Sequence, residues 1–438
     1  AHTWNEKHNF KAMVGFNWET KYLKDVSATG YNLLSETLMD LNLVGQDADG
    51  NERMEVGGGQ NEYALMGFFG RLNYDYKGKY LVEASGRYDG TSRFKRGQRW
   101  GFFPSASVGW RISEEPWMKW SRNWLDNFKI RANVGSLGNA SIDPYQFLSL
   151  MRTSNSASKS IEKSSILING EQVPYTSWPT MVPASLTWET VTTYDIGVDF
   201  DLLRNRLSGS FDYYWRYTND MLINGPDYPQ VLGETSPKGN FGALKTKGWE
   251  ASLSWRDSFK VGGKPFNYNV KVSVWDSRTW VKDYYNSDGA IYSYYKGQEL
   301  GDIWGFRTDG YFLTNEEANN WAVDAFHKNG NNFRAFAGDL KFLDLDGNGK
   351  IENGGERPTL DNHGDTTPRY QYGINLGANW NGIGLSVFVQ GVGKRDWYPM
   401  VESSFFWGMY NRPYGYLPKV HTTDAVIMDY STENWRVT

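Results

Sequence analysis

Between Tyr63 and Ile112 the sequence alternates with a period of two, and the alternating sets are chemically opposite. Ala64, Met66, Phe68, Gly70, Leu72, Tyr74 and Tyr76 are apolar, aromatic or small, with Gly67, Arg71, Asn73 and Asp75 among the residues between them. After the turn Lys77-Gly78-Lys79 the pattern resumes as Tyr80, Val82, Ala84, Gly86 and Tyr88 against Glu83, Ser85, Arg87 and Asp89. A third run sets Pro104, Ala106, Val108, Trp110 and Ile112 against Ser105, Ser107, Gly109 and Arg111. Side chains on a strand point alternately to its two faces, so each run predicts a strand with one greasy and one charged face. A soluble sandwich buries the greasy face, whereas a membrane barrel turns it to lipid and lines a wet lumen with the charges. Here the apolar set is small in the middle and aromatic at its ends. That matches a lipid-facing band between aromatic girdles.

Composition narrows the choice. No apolar run approaches the ~18 residues of a membrane helix, and mean hydropathy is -0.62. A barrel remains open, because only half of each strand faces lipid. Aromatic residues make up 16% of the chain, the types that strands and girdles use. Cysteine is absent, which removes disulfides and thiolate metal sites. A net charge of -4 argues against a nucleic-acid partner. Ala1-His2-Thr3-Trp4 has neither a basic start nor an apolar stretch, so no signal peptide opens the chain, and an exported protein is expected to have lost its N-terminus.

The same alternation recurs in Phe10–Trp18, Asn127–Gly135, Trp188–Phe200, Leu207–Tyr217, Trp249–Trp255, Phe266–Val274, Tyr370–Trp380 and Leu385–Val389, which predicts eleven strands in all. Short turns are expected at Lys77 to Lys79, Leu203 to Arg206, Arg256 to Pro265 and Asn381 to Gly384. Ser113 to Asp126, with Trp117, Trp120 and Trp124, reads as a short helix in the same phase. Long loops fill the other gaps, at about 19–62, 90–102, 136–185, 222–240, 277–367 and 394–438, with a helix expected near Asn32 to Leu43. Alternate short and long connections characterise up-and-down outer-membrane barrels, with tight periplasmic turns and long extracellular loops. The fold class expected is therefore all-β: a large antiparallel up-and-down transmembrane β-barrel, with residues 1–438 forming part of one domain.

Several motifs in order carry a resemblance. Gly70-Arg71-Leu72-Asn73-Tyr74-Asp75-Tyr76, Lys79-Tyr80-Leu81, Arg87-Tyr88-Asp89-Gly90-Thr91-Ser92-Arg93-Phe94 and Phe103-Pro104-Ser105-Ala106-Ser107-Val108-Gly109-Trp110-Arg111 resemble the barrel of the SusC-like (SusC/RagA) TonB-dependent transporters. Leu186-Thr187-Trp188-Glu189-Thr190, Gly248-Trp249-Glu250 and the stretch from Gly338-Asp339 to Gly349 resemble that family in the same order. The resemblance implies a 22-stranded outer-membrane barrel with an internal plug, energised through TonB and lidded by a SusD-like lipoprotein. Plug, TonB box and closing strands have no counterpart here, and an odd count of strands fits a fragment.

The sharpest chemical motif is Asp344-Leu345-Asp346-Gly347-Asn348-Gly349-Lys350-Ile351-Glu352. Oxygen donors at Asp344, Asp346 and Asn348, the Lys350 carbonyl and Glu352 follow a calcium-loop pattern, with Gly at the sixth place. The twelfth place is Gly355 rather than Glu, with Glu356 one residue late. An Asp/Asn/Gly turn without metal explains the same residues. Tyr284-Tyr285 and Tyr294-Tyr295 offer aromatic platforms for a ligand, or ordinary girdle and packing material. His327 and His363 stand alone, without a partner at metal-ligand spacing. Asp195 and Asp199 share one strand face, where a glycosidase pair is conceivable, but a polar lumen explains them with less.

The residues expected to line that lumen are Arg71, Glu83, Arg87, Arg111, Lys129, Arg131, Asp195, Asp199, Asp212 and Arg216. No phosphate loop or Ser-centred nucleophile motif stands out, so the chain reads as non-enzymatic. The function expected is TonB-dependent import of a glycan or oligopeptide across the bacterial outer membrane. Trp178, Trp304, Phe306, Phe312 and Trp321 are expected to present a partner-binding surface. The alternative is a secreted, calcium-stabilised carbohydrate-binding β protein, in which the apolar set from Ala64 to Ile112 would be buried.

Overall fold

The computed structural model describes residues 2–5, 7–33, 35, 37, 40–46, 54–151, 167–168, 171–172, 176, 179–183, 185–226, 228–232, 236–286, 293–324, 328–329, 332–333, 335–345, 347–351, 361–397, 426–429 and 434–437. Twelve strands form one sheet in strict chain order. They are β1 (His2–Trp4), β2 (His8–Gly30), β3 (Met54–Tyr76), β4 (Tyr80–Thr91), β5 (Trp100–Arg111), β6 (Leu125–Asn139), β7 (Glu189–Leu202), β8 (Leu207–Asn224), β9 (Lys238–Val261), β10 (Lys264–Asp283), β11 (Arg369–Trp380) and β12 (Ile383–Lys394). All eleven alternating runs fall in β2 to β12. The twelfth strand, β1, is a three-residue piece pairing His2 with Phe10, too short to show a period. No helix among the described residues is long and apolar enough to cross a membrane.

The strands run further than the alternation. β2 and β3 are 23 residues each and pair without a break from His8↔Tyr76 to Gly30↔Met54, so the expected loop at 19–62 shrinks to residues 31–53. A membrane strand needs only ~9–11 residues. Beyond that band both faces meet water and alternation lapses, while the backbone ladder continues. In place of the helix expected near Asn32 to Leu43 stands a 3-10 turn at Leu41–Leu43. Ser113 to Asp126 likewise holds two 3-10 turns, Ile112–Glu114 and Pro116–Ser121. The turn expected at Arg256 to Pro265 is only Gly262-Gly263, both at positive φ, between two long strands. Asn381-Gly382 closes β11 onto β12 with φ of 48° and 84°, the left-handed pair that two-residue hairpins require.

By internal contacts the chain divides into two compact units. Unit 1 comprises residues 1–109, 133–193 and 218–240, and unit 2 residues 110–132, 194–217 and 241–438. In unit 1 the registers Asn17↔Gly67, Met13↔Arg71 and Asn73↔Glu83 put the polar residues on one face. The opposite face carries Val14 88% exposed, Trp18 66%, Val82 45% and Val108 53%, with Phe68 and Tyr88 stacked on Trp100. A secreted β protein would bury these side chains, since exposing them to water costs about 25 cal/mol per Å2. Their exposure overturns the secreted alternative. Among the described residues of unit 1, a core of ordinary kind forms where Trp188 meets Phe94, Phe103, Ala140 and Leu186.

In unit 2 the segment between β10 and β11 has a core of its own. Phe312, Ala318 and Ala335 are buried, with Trp321 against them. The helical turn Asn315–Asn319 is capped by Thr314, whose Oγ1 accepts from Glu317 N, while Glu317 Oε2 accepts from Leu313 N. This reciprocal cap satisfies two orphan donors. Lys341 reaches Asp309 at 3.0 Å and Glu317 at 3.1 Å.

Candidate functional site: the charged face of the wall

On β6, β7 and β8, in unit 2, the side chains of Lys129, Arg131, Asp195, Asp199 and Asp212 converge. Lys129 Nζ lies 2.7 Å from Asp199 Oδ2. Arg131 reaches Asp195 at 3.3 Å, Asp199 at 3.2 Å and Asp212 at 2.6 Å. Two cations against three carboxylates leave one formal negative charge, and all five side chains are about three-quarters covered. Alternation places Asp195, Gly197 and Asp199 on one face of β7. A Cβ at Gly197 would run into the Arg131 guanidinium and Asp212 Oδ1, so glycine there lets the guanidinium lie against the strand. Because Arg131 holds both Asp195 and Asp199, the two do not form a free acid–base pair.

Unit 1 repeats the construction. Arg87 donates to Asp89 from Nε at 3.0 Å and from Nη2 at 2.9 Å, and Nη2 also reaches Asn17 Oδ1 at 3.2 Å. A Cβ at Gly67 would strike Asp89, Asn17 and Arg87. Arg71 pairs with Glu83 at 3.4 Å, and Asn73 also donates to Glu83. Arg216 stands over the Tyr214 ring at 5.4 Å, and Arg111 is half-buried at the end of β5. Eight of the ten residues predicted for the lumen fall into separate clusters, Arg71 with Glu83, Arg87 with Asp89, and the five-membered Arg131 group, while Arg111 and Arg216 stand outside them.

The prediction did not include Arg369 and Asp276. Arg369 Nε donates to Asp276 Oδ1 at 2.7 Å and Nη2 to Oδ2 at 2.5 Å, with side chains only 10% and 6% exposed. Tyr370 N adds a third donor at 3.4 Å. This bidentate fork ties the start of β11 to the end of β10, where Thr366 N and Thr367 Oγ1 also bond the carbonyls of Gly301 and Leu300. Its signal in the sequence is faint, since the two residues are 93 positions apart.

At the acidic turn, Asp344 Oδ1 accepts from Gly347 N at 2.9 Å and Oδ2 from Gly349 N at 2.7 Å, while Asn348 Oδ1 accepts from Lys350 N at 2.7 Å. Asp346, Glu352, Gly355 and Glu356 lie outside the described residues, and no metal-binding group of three or more acids or imidazoles occurs among the described ones. Tyr295 is buried, whereas Tyr285 and Tyr294 are half exposed, Tyr294 with its ring edge to Tyr284 at 5.5 Å. The aromatics expected at a partner surface behave differently. Phe312 is 1% exposed in its own loop core, Trp321 Nε1 donates to the Phe342 carbonyl at 2.7 Å, and Trp304 and Phe306 are half-buried. Loop folding accounts for these four, and Trp178 and His327 lie outside the described residues.

A sheet with a greasy outer face and an ion-paired inner face now has a match among known proteins. Residues 2–438 match the family described as TonB dependent receptor-like, beta-barrel. The chain belongs to this family. TonB-dependent receptor P39 of Formosa agariphila is 29% identical over 451 residues, covering 94% of this chain and 38% of the relative. TonB-dependent receptor SusC of Bacteroides thetaiotaomicron is 29% identical over 294 residues, covering 66% and 28% respectively. The solved RagAB peptide transporter superposes with a TM-score of 0.64 at 22% identity, over 89% of this chain and 39% of that one. The chain thus spans a little over a third of the first-named relative's length. It is an outer-membrane β-barrel chain of a transporter and receptor family.

Proposed function

We propose that this chain forms wall and external loops of a TonB-dependent importer that takes up a nutrient, a glycan or an oligopeptide, with a SusD-like lipoprotein over the loops. The observation that carries the reading is the sidedness of the wall. Val14, Trp18, Val82 and Val108 are exposed on one face, and charges held in short ion pairs occupy the other. Such a face offers a wet path that needs no catalytic group, and its pairing keeps the charges from clamping a passing solute. Membership of the family supports dependence on TonB, and the resemblance to SusC-like transporters supports the lipoprotein lid. The TonB complex would act through parts of the protein other than this wall. Uptake tests the reading: a strain lacking the full-length gene should fail to grow on the transported nutrient, and disabling TonB should have the same effect. Gentle extraction of the full-length protein should bring a lipoprotein with it. Growth unaffected by both lesions would refute import, and extraction without any lipoprotein would refute the lid.

A further inference from the structure

One cation on the inner face of unit 1 is built differently from Arg71 and Arg87, which are paired with carboxylates. Arg93 follows β4 and folds back over the wall. Its guanidinium lies 3.7 Å from the Tyr63 ring centroid, and Nη1 donates to the Ala140 carbonyl at 2.8 Å. Stacking and this hydrogen bond fix its plane. Yet no carboxylate pairs with it among the described residues, and its Nε has no partner. Arg87, by contrast, is forked onto Asp89.

Arg93 lines a cleft of about 350 Å3 together with Lys21, Asn61, Tyr63, Asp143 and Lys238. The registers Lys21↔Tyr63 and Leu23↔Asn61 have the same parity as Asn17↔Gly67 and Met13↔Arg71, so the cleft opens on the charged face and not on the lipid face. Lys21 and Lys238 are exposed and make no ion pair among the described residues. Asn61 Oδ1, like Arg93 Nε, is buried without a partner. Three cations face one carboxylate, a formal charge of +2 in a polar cleft.

We infer that this cleft is an anion-recognising subsite, which takes a carboxylate or sulfate group of a ligand entering from the loop end. A fixed guanidinium suits such groups because its donors match their oxygens two at a time, and ordering it in advance lowers the entropy lost on binding. The flanking lysines add attraction that salt screens. The inference rests on the import reading for the identity of the ligand as cargo, but binding itself needs neither TonB nor energy.

The test uses the full-length protein in detergent, with trigalacturonate and triglutamate as charged probes and maltotriose and trialanine as neutral ones. A charged probe of one kind should bind more tightly than its neutral counterpart, and whichever kind binds identifies sugar or peptide as the source of the anion. Lys21→Gln with Lys238→Gln should weaken the charged probe about tenfold, or ~1.4 kcal/mol, and flatten its salt dependence. Arg93→Lys, which keeps charge but loses the fork, should also weaken it. Since both lysines are exposed, the double variant retains its fold even where a change at Arg93 disturbs packing on Tyr63. Equal binding of charged and neutral probes, or a double variant that binds like wild type, overturns the subsite and leaves import standing. Charge-selective binding without uptake in cells overturns import and leaves the subsite.

Discussion

Val108 in β5 and Phe312 in the segment between β10 and β11 are both large apolar side chains, yet the first is 53% exposed and the second 1%. Around Val108 the strand alternates strictly, and its apolar partners point outward with it. Around Phe312 the chain turns every few residues, and its apolar side chains point at one another: Phe312, Ala318, Ala335 and Trp321. The wall resembles a soluble protein turned inside out, while this loop resembles a small soluble domain. The contrast shows that the solvent sets the pattern. Lipid rewards outward apolar faces provided the backbone ladder is complete, whereas water rewards a closed core even within about thirty residues.

Breaking each side of this contrast should have different consequences. The largest effect is expected for Phe312→Ala, about 3–5 kcal/mol from cavity formation. It should be confined to the loop: limited proteolysis would cut between β10 and β11 while the barrel's heat-dependent mobility stayed the same. Val108→Arg should cost about 2–4 kcal/mol, as for a cation at the bilayer midplane, with the loop still protease-resistant. Equilibrium unfolding in lipid vesicles measures it, and a neutral result would mean that this face does not meet lipid.

Gly197→Ala probes the inner face. Its methyl would meet the far ends of the Arg131 and Asp212 side chains, which can shift aside, so a loss of no more than about 1 kcal/mol is expected. The same unfolding assay applies, and a larger loss would show that the Arg131 cluster does not yield to added bulk.

A smaller effect follows from Glu317. The hydrogen bond from Leu313 N, and then Lys341, hold its carboxyl below the ordinary value of 4.5. A depressed carboxylate contributes stability above its ordinary value and loses it as pH falls through the lowered one. Loop cleavage should therefore rise as pH drops below about 4.5, and Glu317→Gln should remove that step. Least of all is expected from chelation. The Asp344 carboxylate already accepts from Gly347 and Gly349, so a chelator should leave loop cleavage unchanged. A calcium-dependent shift would assign the ion to Asp344, Asp346, Asn348, Lys350 and Glu352.

Much of the wall was legible because period-two alternation is a local property. Leu72 faces away from Arg71 whatever the rest of the chain does, and Asn381-Gly382 turns the chain by its own dihedral preferences. What alternation could not mark was where strands end. Lys21 to Gly30 pairs with Met54 to Tyr63 in a region wet on both faces, where side chains no longer report on the ladder.

By itself the sequence determined the strand order, the two-faced wall and the family to which the chain belongs. The strand order and the two faces follow from spacings of a few residues and from turns that the backbone fixes locally, and the family from motifs such as Arg87 to Phe94 and Phe103 to Arg111. Only the tertiary structure decided which charges meet. Arg131 finds Asp195 and Asp212 across neighbouring strands, Arg369 finds Asp276 at a distance of 93 residues in sequence, and Arg93 stacks on Tyr63 with no carboxylate beside it among the described residues. Alternation assigns a residue to a face, but register and loop path choose its neighbour on that face. Those depend on loop lengths and on glycines such as Gly197, whose role appears only once a guanidinium from another strand lies against it.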